Sequence, residues 1–274
     1  MNIAIVGATG NVGRKTLEVL EKKGLTLGNL YLVASSKSAG KKIHFQGKDI
    51  VVSELENFDF SKVKIAFFAA GGKISEKFAE KAAKHCLVID NSSFFRMDPD
   101  VPLIVPQVNS DALNNVKKNI IANPNCSTAQ LVIALKPLHD LFVIKRIVVS
   151  TYQSVSGAGK ASMDELIKQT KLALDGKDIK SENFTKPIAF NAIPHIDVFS
   201  EDGYTKEELK MRNETKKILD DKIDLTATCV RLPISVSHSE SVNIQFEKSF
   251  SLEQIKKALN LSLIHISEPT RRDP

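Results

Sequence analysis

Asn2-Ile3-Ala4-Ile5-Val6-Gly7-Ala8-Thr9-Gly10-Asn11-Val12-Gly13 decides how the rest of the chain is read. Four apolar residues make a short buried strand. Three glycines at i, i+3 and i+6 follow, and then Val12, Thr16, Leu17 and Leu20 recur at helical spacing. Strand, glycine turn and helix are the context of a dinucleotide fingerprint, in which backbone approaches a pyrophosphate resting on the helix N-terminus. The spacing G-x-x-G-x-x-G is a variant of the usual one. A tight structural turn is the other reading.

Outward from that stretch, strands and helices alternate. Leu30–Ala34, Ile65–Ala69 and Leu87–Asp90 are apolar runs. Residues 43–52 pattern as a hairpin turning at Gln46-Gly47-Lys48-Asp49, and a helix runs from Gly72 to about Lys84. This order predicts an α/β, doubly wound first domain, with ligands beyond the carboxyl ends of its strands. Gly7–Gly13, Ser35–Ser38, Ala70–Gly72 and Asn91–Arg96 all fall there. After the second strand, Ser35-Ser36-Lys37-Ser38 is followed by Lys41-Lys42 and holds no acid. A ribose 2′-hydroxyl is ordinarily met by Asp or Glu, so this loop suits a 2′-phosphate and predicts NADP over NAD. A solvated polar loop has the same composition.

Asn123-Pro124-Asn125-Cys126-Ser127-Thr128 places a cysteine where a strand, Ile120-Ile121-Ala122, becomes a helix carrying Leu131, Leu135 and Leu138. Helix N-terminal N–H groups favour the thiolate, the nucleophilic form. The other reading is a small buried apolar Cys. Further on, Ile144–Gln153 begins β-branched and ends polar. Ser154–Gly159 is a second glycine loop before a helix, and residues 175–203 are turn-rich. The charged stretch from Lys206 to about Asp221 reads locally as a solvated helix face. His238 is the best candidate general base by its ordinary pKa. Ser251 to Leu261 is a helix opened by a Ser251/Gln254 capping pattern.

The whole composition narrows the classes. The 274 residues are 42% hydrophobic and 26% charged, with net charge +6. That is ordinary globular protein, mildly attractive to anions. Lys and Arg are dispersed, against a nucleic-acid partner. No apolar run reaches membrane-spanning length, and no leader pattern precedes the first strand. Three unspaced cysteines, Cys86, Cys126 and Cys229, predict a reducing cytoplasm and no metal framework. Cys86 and Cys229 lie in apolar runs and read as core.

Taken together, GATGNVG (7–13), AAGG (69–72), DNSSFFRM (90–97), VPQVN (105–109), NPNCST (123–128), TYQSVSGAG (151–159), EELK with ETKKI (207–218) and ATCVRLPISVSHSES (227–241) resemble aspartate-semialdehyde dehydrogenase of the bacterial type. The resemblance covers residues 1–261. It implies a Rossmann-like NADP-binding domain over 1–125, an α+β catalytic and dimerisation domain over 126–261, and a homodimer. It also implies reversible conversion of L-aspartate 4-semialdehyde and phosphate to 4-aspartyl phosphate, in lysine (diaminopimelate), threonine and methionine biosynthesis. By matching motif, Cys126 is the nucleophile, His238 the acid/base and Gln153 the orienting amide. Arg231 and Glu207 grip the substrate's carboxylate and amine, and Arg96, Lys210 and Asn91 serve phosphate. Gly7, Thr9, Gly10, Asn11 and Val12 cradle the cofactor pyrophosphate, Ser35 and Ser38 face the 2′-phosphate, and Gly71 and Gly157 lie by the cofactor. Residues 262–274 depart from the family, which continues with a further strand region and a long helix. They read as a non-native tail left by truncation or sequence assembly, which leaves activity of the chain open. The alternatives are an N-acetylglutamyl-phosphate reductase-like enzyme, disfavoured by Glu207, and an inactive truncated NADP-binding module.

Overall fold

The computed structural model describes residues 1–264, which divide into two compact units. The first comprises Met1–Ile104 and Ser110–Pro124, and the second Val105–Asn109 and the chain from Asn125 onward. The tail predicted from Ser262 lies, from residue 265 on, outside the described residues.

The first unit is a seven-stranded sheet: β1 (Ile3–Val6), β2 (Leu30–Ala34), β3 (Lys42–Phe45), β4 (Lys48–Glu54), β5 (Ile65–Phe68), β6 (Leu87–Asp90) and β7 (Ile120–Ala122). Their order is β3-β4-β2-β1-β5-β6-β7. Every neighbouring pair is parallel except β3 with β4, the predicted hairpin. Its turn is the two residues Gln46 and Gly47, both at positive φ, which suits the right-handed twist of the flanking strands. β1 is wholly buried. Chain order reverses about it, so the loop after β1 opens at the topological switch point. Helix α1 (Asn11–Lys22) turns Leu17 and Leu20 onto Leu32 and Val52, and α2 (Gly72–Ala83) buries Phe78, Ala79 and Ala82.

The second unit begins with the short helix α3 (Pro106–Asn109) and continues through α4 (Cys126–Phe142). A three-stranded sheet, in the order β10-β8-β9, is made of β8 (Ile144–Gln153), β9 (Asp224–Arg231) and β10 (His238–Phe246). Helices α5 (Lys160–Leu174), α6 (Lys206–Ile218) and α7 (Leu252–Ile264) complete it. Leu131, Leu135, Ile147, Met211, Ile223 and Leu225 form its core. The Ser251/Gln254 capping box closes as patterned, with each side chain bonding the other's backbone N–H. Segment 175–203 departs from the sheet, joined to it at Ile193–Arg231.

Helix α6 corrects the sequence reading. Its charged stretch is not a solvated face: Glu207, Glu208, Met211, Glu214, Thr215 and Ile218 are buried. Thr205 and Glu208 form a capping box at its start, and the other oxygen of Glu208 accepts the Cys229 N–H at 3.0 Å. Burying so many carboxylates is tolerable because each finds donors.

Candidate active site

In the second unit the nucleophile candidate sits where the sequence placed it. Cys126 is the first residue of α4 and is exposed. Asn125 caps the helix: its Oδ1 accepts the N–H of Ser127 at 2.9 Å and of Thr128 at 3.4 Å. The Asn125 backbone N–H donates to the buried Glu214 at 2.6 Å, and its Nδ2 donates to Glu207 at 2.9 Å. The turn before the thiol is therefore held from three sides.

Strand register assembles the rest. β8 pairs with β9 so that Gln153 lies opposite Arg231, and with β10 so that His238 lies opposite Gln153. Directly opposed residues share a face, so His238, Gln153 and Arg231 form one cross-strand row. Gln153 donates from Nε2 to Ser127 Oγ and, at 3.2 Å, to Glu207 Oε1. Its Oε1 is buried with no hydrogen-bond partner, leaving an acceptor for a ligand N–H or O–H.

Charge in this cluster is balanced. Burial opposes ionisation of Glu207, but Lys210 and hydrogen bonds from Asn125, Gln153 and Lys210 outweigh it, holding the carboxyl below its ordinary value. Lys210 Nζ is shared between Asp197 at 2.8 Å and Glu207 at 3.1 Å. Arg231 is depressed by burial, against the pull of Glu207 and the Cys126 sulfur, and donates to the Ser154 carbonyl at 2.5 Å. His238 is pushed below its ordinary value, first by burial and then by Arg231, so the imidazole is neutral at pH 7. Its Nδ1 lies 3.0 Å from the Ser154 N, 3.3 Å from Ser154 Oγ and 2.9 Å from the Ser237 carbonyl. In the tautomer that gives Nδ1–H to Ser237, the Ser154 N–H goes to the same Ser237 carbonyl at 3.3 Å, and Nε2 is left bare to accept a proton. A Cβ on Gly157 would stand 3.6 Å from both that Nε2 and an Arg231 terminal nitrogen. The absent side chain leaves room between imidazole and guanidinium.

The first unit carries the other predicted residues. Gly7 has φ +87°, and a Cβ there would meet the Ala69 oxygen at 2.7 Å; one on Gly13 would meet the Gly7 oxygen at 2.3 Å. No acid stands in the first turn of α1, whose cap is Gly10, and Asn11 and Val12 open the helix, both exposed. Thr9 Oγ1 lies 3.4 Å from Ser38 Oγ, joining the glycine turn to the loop whose turn starts at Ser35. Gly71, at φ +87°, caps α2 with open space around it. This bare-backbone cradle fits the pyrophosphate of a nicotinamide dinucleotide. Arg96 is buried, giving Nε to the Asn123 carbonyl at 2.9 Å and a terminal nitrogen to the Asn91 carbonyl at 3.0 Å. The Asn123 side chain donates to that of Asn91 at 3.0 Å. Arg96 thus ties the ends of β6 and β7 together.

Sequence reasoning missed Asn125, Ser127, Asp197 and Glu214. The Asx residue one before a helix start was a usable capping signal for Asn125. The others are brought in by tertiary packing. Among the described residues, no group of three or more His, Cys, Asp or Glu side chains is placed to hold a metal, and no helix is long and apolar enough to cross a membrane.

Family models agree with this layout. The semialdehyde dehydrogenase NAD-binding domain matches residues 2–116, and the semialdehyde dehydrogenase dimerisation domain matches residues 135–271. The aspartate-semialdehyde dehydrogenase of Aquifex aeolicus is 53% identical over 262 residues, covering 94% of this chain and 77% of the relative. That of Helicobacter pylori is 49% identical over 270 residues, covering 94% and 78%. Among solved structures, aspartate semialdehyde dehydrogenase II of Vibrio cholerae in complex with ASA superposes with a TM-score of 0.93 at 48% identity, covering 95% of this chain and 79% of that one. The Candida albicans enzyme with NADP gives 0.68 at 27% identity, covering 94% and 75%. With both domains matched and near half the residues shared over almost the full chain, this protein belongs to the aspartate-semialdehyde dehydrogenase family.

Proposed function

We propose that this oxidoreductase interconverts L-aspartate 4-semialdehyde plus phosphate and L-4-aspartyl phosphate through a thioester on Cys126, with NADP as its cofactor. The observation that carries the reading is the cluster in the second unit. A helix-start cysteine, a neutral histidine, a buried arginine and a buried carboxylate converge there with one orphan amide oxygen.

His238 Nε2 takes the Cys126 thiol proton as the sulfur attacks the aldehyde carbon and returns it to the oxyanion to give the thiohemiacetal, then takes the hydroxyl proton back as the hydride leaves. A bound nicotinamide would supply the hydride acceptor. Phosphate then displaces the Cys126 sulfur to release the acyl phosphate. Gln153 orients the intermediate. Arg231 suits the substrate carboxylate through paired N–H groups, and Glu207 gives the α-ammonium an anionic contact. Arg96, Asn91 and Lys210 serve phosphate. Since Lys210 already neutralises two carboxylates, its part is to bias the local charge as phosphate arrives.

Gly7, Thr9, Gly10, Asn11 and Val12 would hold the cofactor pyrophosphate. Gly71 and Gly157 would each lie by the cofactor, and Ser35 and Ser38 would face the ribose 2′-position. The acid-free Ser35–Ser38 loop supports NADP over NAD. The matched dimerisation domain supports a homodimer. The matched family and the sparse cysteines support work in the cytoplasm, in biosynthesis of lysine, threonine and methionine.

The test is formation of reduced nicotinamide from aspartate semialdehyde, with and without phosphate and with NADP or NAD. Turnover is expected to need phosphate and to favour NADP. Cys126→Ala is expected to lower kcat by at least about a thousandfold while NADP binding is retained. Activity surviving that substitution would sink the nucleophile assignment.

A further inference from the structure

Behind the row of His238, Gln153 and Arg231 stands a second one. The same register sets Glu240 opposite Thr151, and Thr151 opposite Cys229. These three line the same face, one two-residue repeat away from the first row. Glu240 is thus two positions along β10 from His238, a Cα separation of about 6.6 Å. The side chain is half-buried, and its Oε1 is buried with no hydrogen-bond partner.

Among the described residues, Glu207 and Glu208 of α6 act with it on the Cys229 thiol, and Arg231 of β9 stands in the adjoining row, where it acts on His238. From α4 comes Gln130, whose side chain favours the ionised carboxyl. From β8 comes Thr151, beside the thiol of Cys229 on β9. That thiol is pushed up to about 12, chiefly by burial and further by the carboxylates of Glu207, Glu208 and Glu240, so it stays neutral. On β10 itself the same-face neighbours are His238 and Val242. Burial accordingly pushes the Glu240 carboxyl up to about 7, with Gln130 pulling the other way. Nothing in the thioester chemistry above uses this group.

We propose that Glu240 is a positioning residue that sets the basicity of His238, weak while Glu240 carries its proton and stronger once that proton is lost. The switch breaks only the Glu240 O–H bond, the proton passing to bulk water and the charge staying on the carboxylate. A negative charge at this distance, in a partly dry site, favours the imidazolium. It therefore raises the proton affinity of Nε2 as Glu240 ionises. The inference rests on His238 being the base.

The test compares kcat/KM from about pH 5.5 to about pH 9 for the unsubstituted enzyme and Glu240→Gln. The unsubstituted enzyme is expected to rise in two steps, one below the ordinary histidine value and one near 7. Glu240→Gln is expected to keep the first step and lose the second. It would match the unsubstituted enzyme at about pH 6 and fall roughly threefold to tenfold below it at about pH 8.5, with KM little changed. A step near 7 that persists in Glu240→Gln, or a deficit equal at every pH, overturns the proposal. A readout that does not need the variant to fold is the carboxyl NMR signal of the unsubstituted enzyme labelled with carboxyl-¹³C glutamate. One resonance titrating near 7 is expected, and none titrating between about pH 6 and 8 overturns it. His238→Asn separates the two readings. If its residual activity keeps the lower step, the base assignment fails, while the Glu240 resonance still reports on the carboxyl itself.

Discussion

At the scale of single residues, the site depends on small differences in what surrounds each group. Cys126 gains its character from being the first residue of α4, whereas Cys229, enclosed in the sheet, is held as a neutral thiol. His238 and Lys210 are both partly enclosed, yet they shift in opposite directions. Burial with Arg231 nearby depresses the imidazole, and paired carboxylates overcome burial at the ammonium. Gly157 is the residue whose lack of a side chain matters most here. A methyl group there fits at ordinary contact distance from Arg231 and His238, so Gly157→Ala should fold normally. It would fill space between the guanidinium and the imidazole proposed to meet substrate. KM for the semialdehyde is expected to rise about tenfold or more, a loss of about 1.4 kcal/mol of binding, with thermal unfolding unchanged. Unchanged steady-state kinetics would show that this space is not used.

At the scale of elements, helix α4 and helix α6 are fastened to each other by polar groups. Asn125 caps α4 and also donates to Glu207 of α6, while Glu214 of α6 takes the Asn125 N–H. Asn125→Ala removes the cap and leaves Glu207 short of a donor. It is expected to cost about 1–2 kcal/mol in urea unfolding and to lower kcat more than it raises KM, because the turn carrying Cys126 is loosened. A stability loss with no change in kcat would argue that the cap holds the helix without aiming the thiol. Much of this element-level structure was readable in advance. The β1–turn–α1 unit, the Gln46-Gly47 hairpin and the Ser251/Gln254 box are set by residues within a few positions of one another. The character of α6 was not readable, since its charges looked solvated until the donors appeared. Those donors, Asn125, Gln153 and the Cys229 N–H, lie between 21 and 82 residues away along the chain.

For the whole molecule, Glu207 and Glu240 act on stability in opposite senses. Glu207 is ionised more readily folded than unfolded. Its contribution is present above its ordinary value of 4.5 and is lost as pH falls through the lower folded value. Glu240 binds its proton more tightly when folded. Its favourable contribution exists below 4.5 and is lost as pH rises through about 7. Glu240→Gln is therefore expected to stabilise the protein by about 1–3 kcal/mol at about pH 8.5 and by little at about pH 5. Urea unfolding at the two pH values checks this, and equal effects at both would contradict it. The sequence by itself determined the nucleotide-binding turn, the alternating α/β order and the cysteine at a helix start, because each is written in neighbouring residues. It also named His238, Gln153, Glu207 and Arg231 through motif resemblance. Only the tertiary structure decided that three of these share one cross-strand row, that α6 is a buried charged helix, and that Glu240 stands behind the base. Strand register and the pairing of buried charges are long-range facts, fixed when distant segments pack and not before.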